Sequence, residues 1–130
     1  MQVSVDLSVL MPAEEWEELQ AEMPERLRTA GFRPVNIFAT VIAQSPPEDS
    51  PLAQEYELGT GTEAGNTPLW RVIVNGDTTV PLPKVAPMVA ERLPPTAAWL
   101  GSVEIGHTEL AWPAEPAWSP ETSEENNIFS

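Results

Sequence analysis

The side chains in this 130-residue chain that can do polar chemistry are mostly carboxylates: 20 Asp and Glu stand against 6 Lys and Arg, giving a formal charge of −14. Glu14, Glu15, Glu17, Glu18, Glu22 and Glu25 crowd one short stretch, and no Lys or Arg precedes Arg26. Clustered charge of one sign steers association and selects a partner of the opposite sign, so the expected chemistry is pairing with Arg and Lys of a basic protein. Direct binding to a phosphate backbone is not expected, because that affinity comes from Lys and Arg displacing counterions. Part of the cluster has a local explanation. Acidic residues near a helix N-terminus complement the helix dipole, and Glu22 stands at the favoured i, i+4 position before Arg26.

Other reactive groups are sparse. With no Cys there is no thiolate nucleophile, disulfide or thiolate metal site, and one His rules out the two-His zinc motifs. His107, beside Thr108 and Glu109 and oriented by Glu104 or Asp77, would be the general acid or base of a small-molecule enzyme, but nothing in the spacing specifies that geometry. Gly59-Thr-Gly-Thr62 has the glycines of a phosphate loop without its Gly-Lys-Ser/Thr ending. It reads as turn chemistry. Asp6, Asp49 and Asp77 are dispersed and lack the alternating oxygen ligands of a calcium loop. No metal, cofactor or catalytic residue is expected, and the chain reads as a non-enzyme.

Apolar anchors occur in an acidic C-terminal stretch. Trp118 lies among prolines and acids, and Glu124-Glu125-Asn126-Asn127 leads into Ile128-Phe129. This ending resembles the C-terminal peptides of single-stranded DNA-binding proteins over a few residues, although Ser130 follows Phe129 and no proline separates the two apolar residues. The resemblance implies a flexible peptide that docks into a partner's groove. The competing reading is a disordered, solubilising end, or one folded back over the chain's own sheet with Trp112 and Trp118 filling local gaps.

These groups need a scaffold, and the hydrophobic pattern describes one. Val3, Val5, Leu7 and Val9 alternate with polar residues, the period of a half-buried strand. Trp16, Leu19, Met23, Leu27 and Ala30 then repeat at helical spacing over residues 12–30, where Pro24 must kink or split the helix and Gly31 suits its end. Residues 32–43 are rich in β-branched and aromatic types and predict a second strand, with Val35, Ile37, Ala39 and Val41 on the helix side and Phe38 and Ile42 on the other. Residues 53–60 and 69–75 read as a hairpin across a turn-forming cluster, and Asn75-Gly-Asp77 as another turn. Residues 82–93 predict a second helix that Pro87 could shorten. Residues 97–105 and 108–112 predict closing strands.

The order predicts a single α+β domain over residues 1–112: a ferredoxin-like split βαβ sandwich, its antiparallel sheet carrying two helices on one face. A hairpin arm is inserted at about residues 44–68, and residues 113–130 form an acidic, proline-rich tail. A start without a basic, apolar leader, and the absence of any stretch of about 20 apolar residues, indicate a cytoplasmic protein outside the membrane.

The functional expectation is an acidic protein-binding factor of the inhibitor or immunity type, or a phage anti-defence protein and DNA mimic. It would block a basic, nucleic-acid-binding partner such as a nuclease. Glu14, Glu15, Glu18, Glu22, Trp118 and Phe129 are the expected contact residues. The alternatives are a structural subunit of a virion-like homo- or hetro-oligomer, associating through the sheet face carrying Phe38 and Ile42, and the His107 enzyme.

Overall fold

The computed structural model describes residues 1–47 and 50–106. In chain order its elements are β1 (Gln2–Leu10), α1 (Ala13–Leu19), α2 (Met23–Thr29), β2 (Phe32–Ala43), α3 (Pro51–Thr60), β3 (Leu69–Thr78), α4 (Leu82–Ala90) and β4 (Ala98–Ile105). The strands form one four-stranded sheet in the order β2-β3-β1-β4, and every adjacent pair is antiparallel. The class is α+β.

The alternation in β1 sets the layers. Val3, Val5, Leu7 and Val9 are fully buried and join Trp70, Val72 and Val74 of β3 in the main core. Against them pack Trp16 and Leu19 of α1, Met23 and Leu27 of α2, and Val85 and Val89 of α4. These three helices therefore share one face of the sheet. Pro24 acts as expected: the predicted long helix is two short ones, with Pro24 in the first turn of α2, where a missing N–H is harmless. Gly31 follows at φ 94°, a left-handed conformation suited to glycine. In α4, Pro87 lies inside the helix, which ends at Ala90.

Two predicted features are overturned. Residues 53–60 are not a strand of a hairpin arm but belong to α3. Leu52 and Tyr56, four apart, bury one helical stripe against Leu10, Ala64 and Ala98, forming a second small core on the opposite face of the sheet. Pro51 stands in the first turn, and Gly61 caps the end at φ 71°. Asn75-Gly76-Asp77 does not turn the chain, because β3 runs on to Thr78. Gly76 is needed there for close approach: a Cβ would strike the Phe32 ring and the Arg33 carbonyl.

The predicted faces of β2 hold apart from Val35 and Ile42, each of which sits at a register shift. Ile37, Ala39 and Val41 contribute to the main core, but the register shifts between Pro34 and Asn36, and Val35 sits at that irregularity, 40% exposed. The expected strand at 108–112 and the tail at 113–130 lie outside the described residues.

Candidate functional site

The acidic face is positioned by aromatic packing beneath it. Pro12 is extended at φ −61°, ψ 142°, and α1 starts immediately after it with Glu14 and Glu15 in the first turn. Trp16 turns inward onto Trp70, with ring centroids 6.3 Å apart and planes inclined at 52°. Trp70 in turn donates from Nε1 to the Met11 carbonyl at 3.0 Å, a buried bond that ties β3 to the segment entering α1. With Trp16 and Leu19 fixed against the sheet, the helical period turns Glu14, Glu17 and Glu18 outward, and all three are exposed.

The structure brings some of the expected contact residues together and separates others. Glu15, Glu18 and Glu22 line a cleft of about 350 Å³ with Leu19, Pro94 and Pro95. Glu15 is half-buried there and accepts the Thr96 hydroxyl at 2.8 and 3.1 Å. Glu22 lies in the turn between α1 and α2, where its backbone carbonyl accepts the Arg26 N–H. Glu14 lies apart, in a second cleft of about 420 Å³ with Pro12, Glu63 and Asn66. Among the described residues no ion pair involves Glu14, Glu15, Glu17, Glu18 or Glu22. The pair made by this region is Glu25 with Arg28 at 3.2 Å, i, i+3 within α2.

Sequence reasoning did not anticipate the contribution of Glu63 or the Pro94–Pro95 wall. Neither is close to α1 in sequence, and no spacing rule links them to it.

The remaining charges are distributed differently. On the sheet face opposite the main core, Arg71 donates to both carboxylate oxygens of Asp6, from Nε at 3.2 Å and from Nη2 at 2.7 Å. Hydrogen bonding to Asp6 raises the Arg71 pKa. Asp77 accepts the Met1 ammonium at 2.6 Å, and that hydrogen bond holds its carboxyl below the ordinary value. A cleft of about 450 Å³ lies beside this contact, lined by Arg28, Arg33, Phe32 and Thr78 among others.

What the described residues of α1 present to solvent is a set of carboxylates, Glu14, Glu17 and Glu18. Among the described residues, no three His, Asp or Glu side chains gather as a metal site. Gly59 and Thr60 end α3 instead of opening a helix, and the Thr60 hydroxyl donates back to the Tyr56 carbonyl at 2.7 Å, an arrangement unlike a phosphate cradle. No described helix is long and apolar enough to cross a membrane. His107, Asp49, Trp118 and Phe129 lie outside the described residues. The chain matches no protein-family model, no curated protein and no solved structure.

Proposed function

We propose that this is a non-enzymatic, cytoplasmic binding factor that occludes a basic protein, in the manner of an inhibitor or immunity protein or a phage anti-defence protein. The observation that carries the reading is the row of carboxylates on α1 and the turn after it, Glu14, Glu15, Glu18 and Glu22, none ion-paired among the described residues. Ordinary surface charge is interspersed in sign, whereas here the chain carries no Lys or Arg before Arg26. Like charges held together by a packed helix repel one another, and a cationic partner relieves that repulsion. A nucleic-acid-binding groove, rich in Arg and Lys, has the matching chemistry.

The finer architecture belongs to the same reading. The strand order β2-β3-β1-β4 with antiparallel neighbours supports a ferredoxin-like split βαβ sandwich, in which α1–α2 and α4 are the crossovers and α3 is an addition between β2 and β3.

The experiment is a nuclease-treated pull-down from source cells across a salt series, with bound proteins identified by mass spectrometry. A basic partner retained at low salt and released at high salt is expected. Recovery of the bait alone would contradict the reading. A second reading, a subunit of a self-assembling structure, is favoured by Leu100, 50% exposed and paired with Ser8 on the sheet face away from the main core. Recovery of further copies of the chain would support it instead.

A further inference from the structure

The sheet has an edge at each end of its strand order, and the two are built differently. Among the described residues β2 borders only β3, and its free side is blunted: Pro34 lies within it, and the register shifts between Pro34 and Asn36 and again between Val41 and Ala43. Prolines and bulges protect an edge against a further strand. β4 borders only β1 among the described residues. It pairs with β1 without a register shift from Ala98 to Ile105, contains no Pro, and carries a single charged residue, Glu104. No feature of its own sequence blunts this edge.

The ladders show which backbone groups of β4 point outward. Gly106 donates to the Gln2 carbonyl at 2.9 Å, one step beyond the Val3–Ile105 pair in the same register. Hydrogen-bonded and non-hydrogen-bonded pairs alternate along an antiparallel ladder, so Ser4–Glu104, Asp6–Ser102 and Ser8–Leu100 are the bonded pairs. The other side of β1 agrees: Thr78 donates to the Met1 carbonyl and Met11 to the Pro68 carbonyl, which turns the odd-numbered residues of β1 towards β3. The N–H and C=O groups of Trp99, Gly101, Val103 and Ile105 therefore face away from β1. Among the described residues no hydrogen bond takes them up. Apolar side chains gather along the same edge. Ile105 is 70% and Leu100 50% exposed, and Leu58 of α3, 87% exposed, lines a cleft of about 360 Å³ with Ala98 and Trp99 at the start of β4.

We infer that this edge takes a second copy of the chain, β4 pairing antiparallel with β4 about a two-fold axis at Ser102. Centred there, Gly101 bonds the partner's Val103 and Trp99 the partner's Ile105, and each contact recurs by symmetry. Every outward group is then used, in about eight hydrogen bonds at two for each pair. The exposed Ile105 gains an aromatic cross-strand neighbour in Trp99. Charge favours this surface over others for self-association. A chain of charge −14 repels its own copies, but residues 93–106 hold only Glu104. In the pair the two Glu104 positions lie about 14 Å apart along the strands. That exceeds the screening length of about 8 Å at physiological salt. Because β2 is blunted, growth stops at a closed dimer and no fibre forms. The inference rests on the self-assembly reading and names its surface; it does not require a basic partner.

The test uses the full-length chain. Sedimentation equilibrium of the parent should give twice the chain mass, falling towards that of a single chain on dilution. Val103→Pro removes an outward N–H that β1 does not use, and should be monomeric, with an unchanged circular dichroism spectrum, at concentrations where the parent is paired. Because the sequence has no Cys, Ser102→Cys supplies a single thiol at the two-fold axis, where the Cα atoms of a non-hydrogen-bonded pair lie about 4.5 Å apart. With oxidised glutathione it should form a covalent dimer. Glu104→Cys should form on the order of tenfold less, since Cα atoms more than about 7 Å apart are not bridged. If Val103→Pro fails to fold, the two cysteine variants decide. A parent that is monomeric at every concentration would overturn both the inference and the self-assembly reading; amides of Trp99, Gly101 and Val103 protected from exchange in that monomer would assign the edge to another segment of the same chain. An oligomer that survives Val103→Pro and forms no Ser102→Cys cross-link would overturn the β4 pairing alone and leave self-assembly to another surface.

Discussion

The same small substitution at two glycines should move stability in opposite directions. At Gly101, which pairs with Leu7 across β1 and β4, an added Cβ would strike Leu7 Cδ2 and lie 2.7 Å from the Asp6 carbonyl oxygen. Leu7 is fully buried, so it cannot move aside without disturbing the main core. Overpacking of this kind costs about 1–3 kcal/mol. Ala also reduces the freedom of the unfolded chain, which returns about 0.4–1 kcal/mol. The net expectation for Gly101→Ala is a loss of about 1–2 kcal/mol, by subtracting the second effect from the first. At Gly59, in the last turn of α3, a Cβ meets nothing within 4 Å. There Ala gains helix propensity, and Gly59→Ala should stabilise by about 0.5–1 kcal/mol. For a chain of this size each kcal/mol shifts Tm by about 4 °C. Thermal unfolding followed by circular dichroism should therefore show Gly101→Ala lower by about 4–8 °C and Gly59→Ala higher by about 2–4 °C. An unchanged or raised Tm for Gly101→Ala would refute the close approach of β1 and β4. A lowered Tm for Gly59→Ala would refute the helical assignment of α3.

Trp70→Phe should cost about 1–3 kcal/mol in urea unfolding, because the Met11 carbonyl loses the indole donor in a buried setting; a cost under about 0.5 kcal/mol would show that water replaces the bond. Asp77 supplies a pH signature. Its folded pKa lies below the unfolded value, so its contribution is present above the ordinary carboxylate range, near 4, and fades as pH falls through the folded pKa. Asp77→Asn should flatten that part of the stability profile, and a profile identical to that of the parent would contradict the Met1 contact.

What the sequence disclosed, and what it concealed, follows from which forces act locally. The alternation in β1 and the helical stripe through Trp16 and Leu27 report burial on one face, and both elements formed as read. Pro24 has a steric effect independent of context, and it divides α1 from α2. Residues 53–60 read as a strand because Gly59 and Gly61 suggest turns, although Leu52 and Tyr56 at i, i+4, Pro51 at the start and Gly61 after the end are signals of the helix that forms, Pro51–Thr60. Gly76 misled for a different reason. Its requirement is tertiary, set by Phe32 and Arg33 on the neighbouring strand, and no local pattern reveals it. The carboxylate row was legible residue by residue, but its division was not: Pro94 and Pro95 gather Glu15, Glu18 and Glu22 into one cleft, while Glu14 faces Glu63 in another.

On the proposed function, the α1 carboxylates select a basic partner. The most direct test of that selection compares the parent chain with Glu14→Lys/Glu18→Lys/Glu22→Lys as baits in one quantitative pull-down, after circular dichroism has shown that both fold alike. All three positions are exposed, so the fold should tolerate the changes. The account predicts a basic protein enriched on the parent, depleted on the charge-reversed chain, and lost from the parent as salt is raised. Equal recovery on both baits at every salt concentration would contradict it.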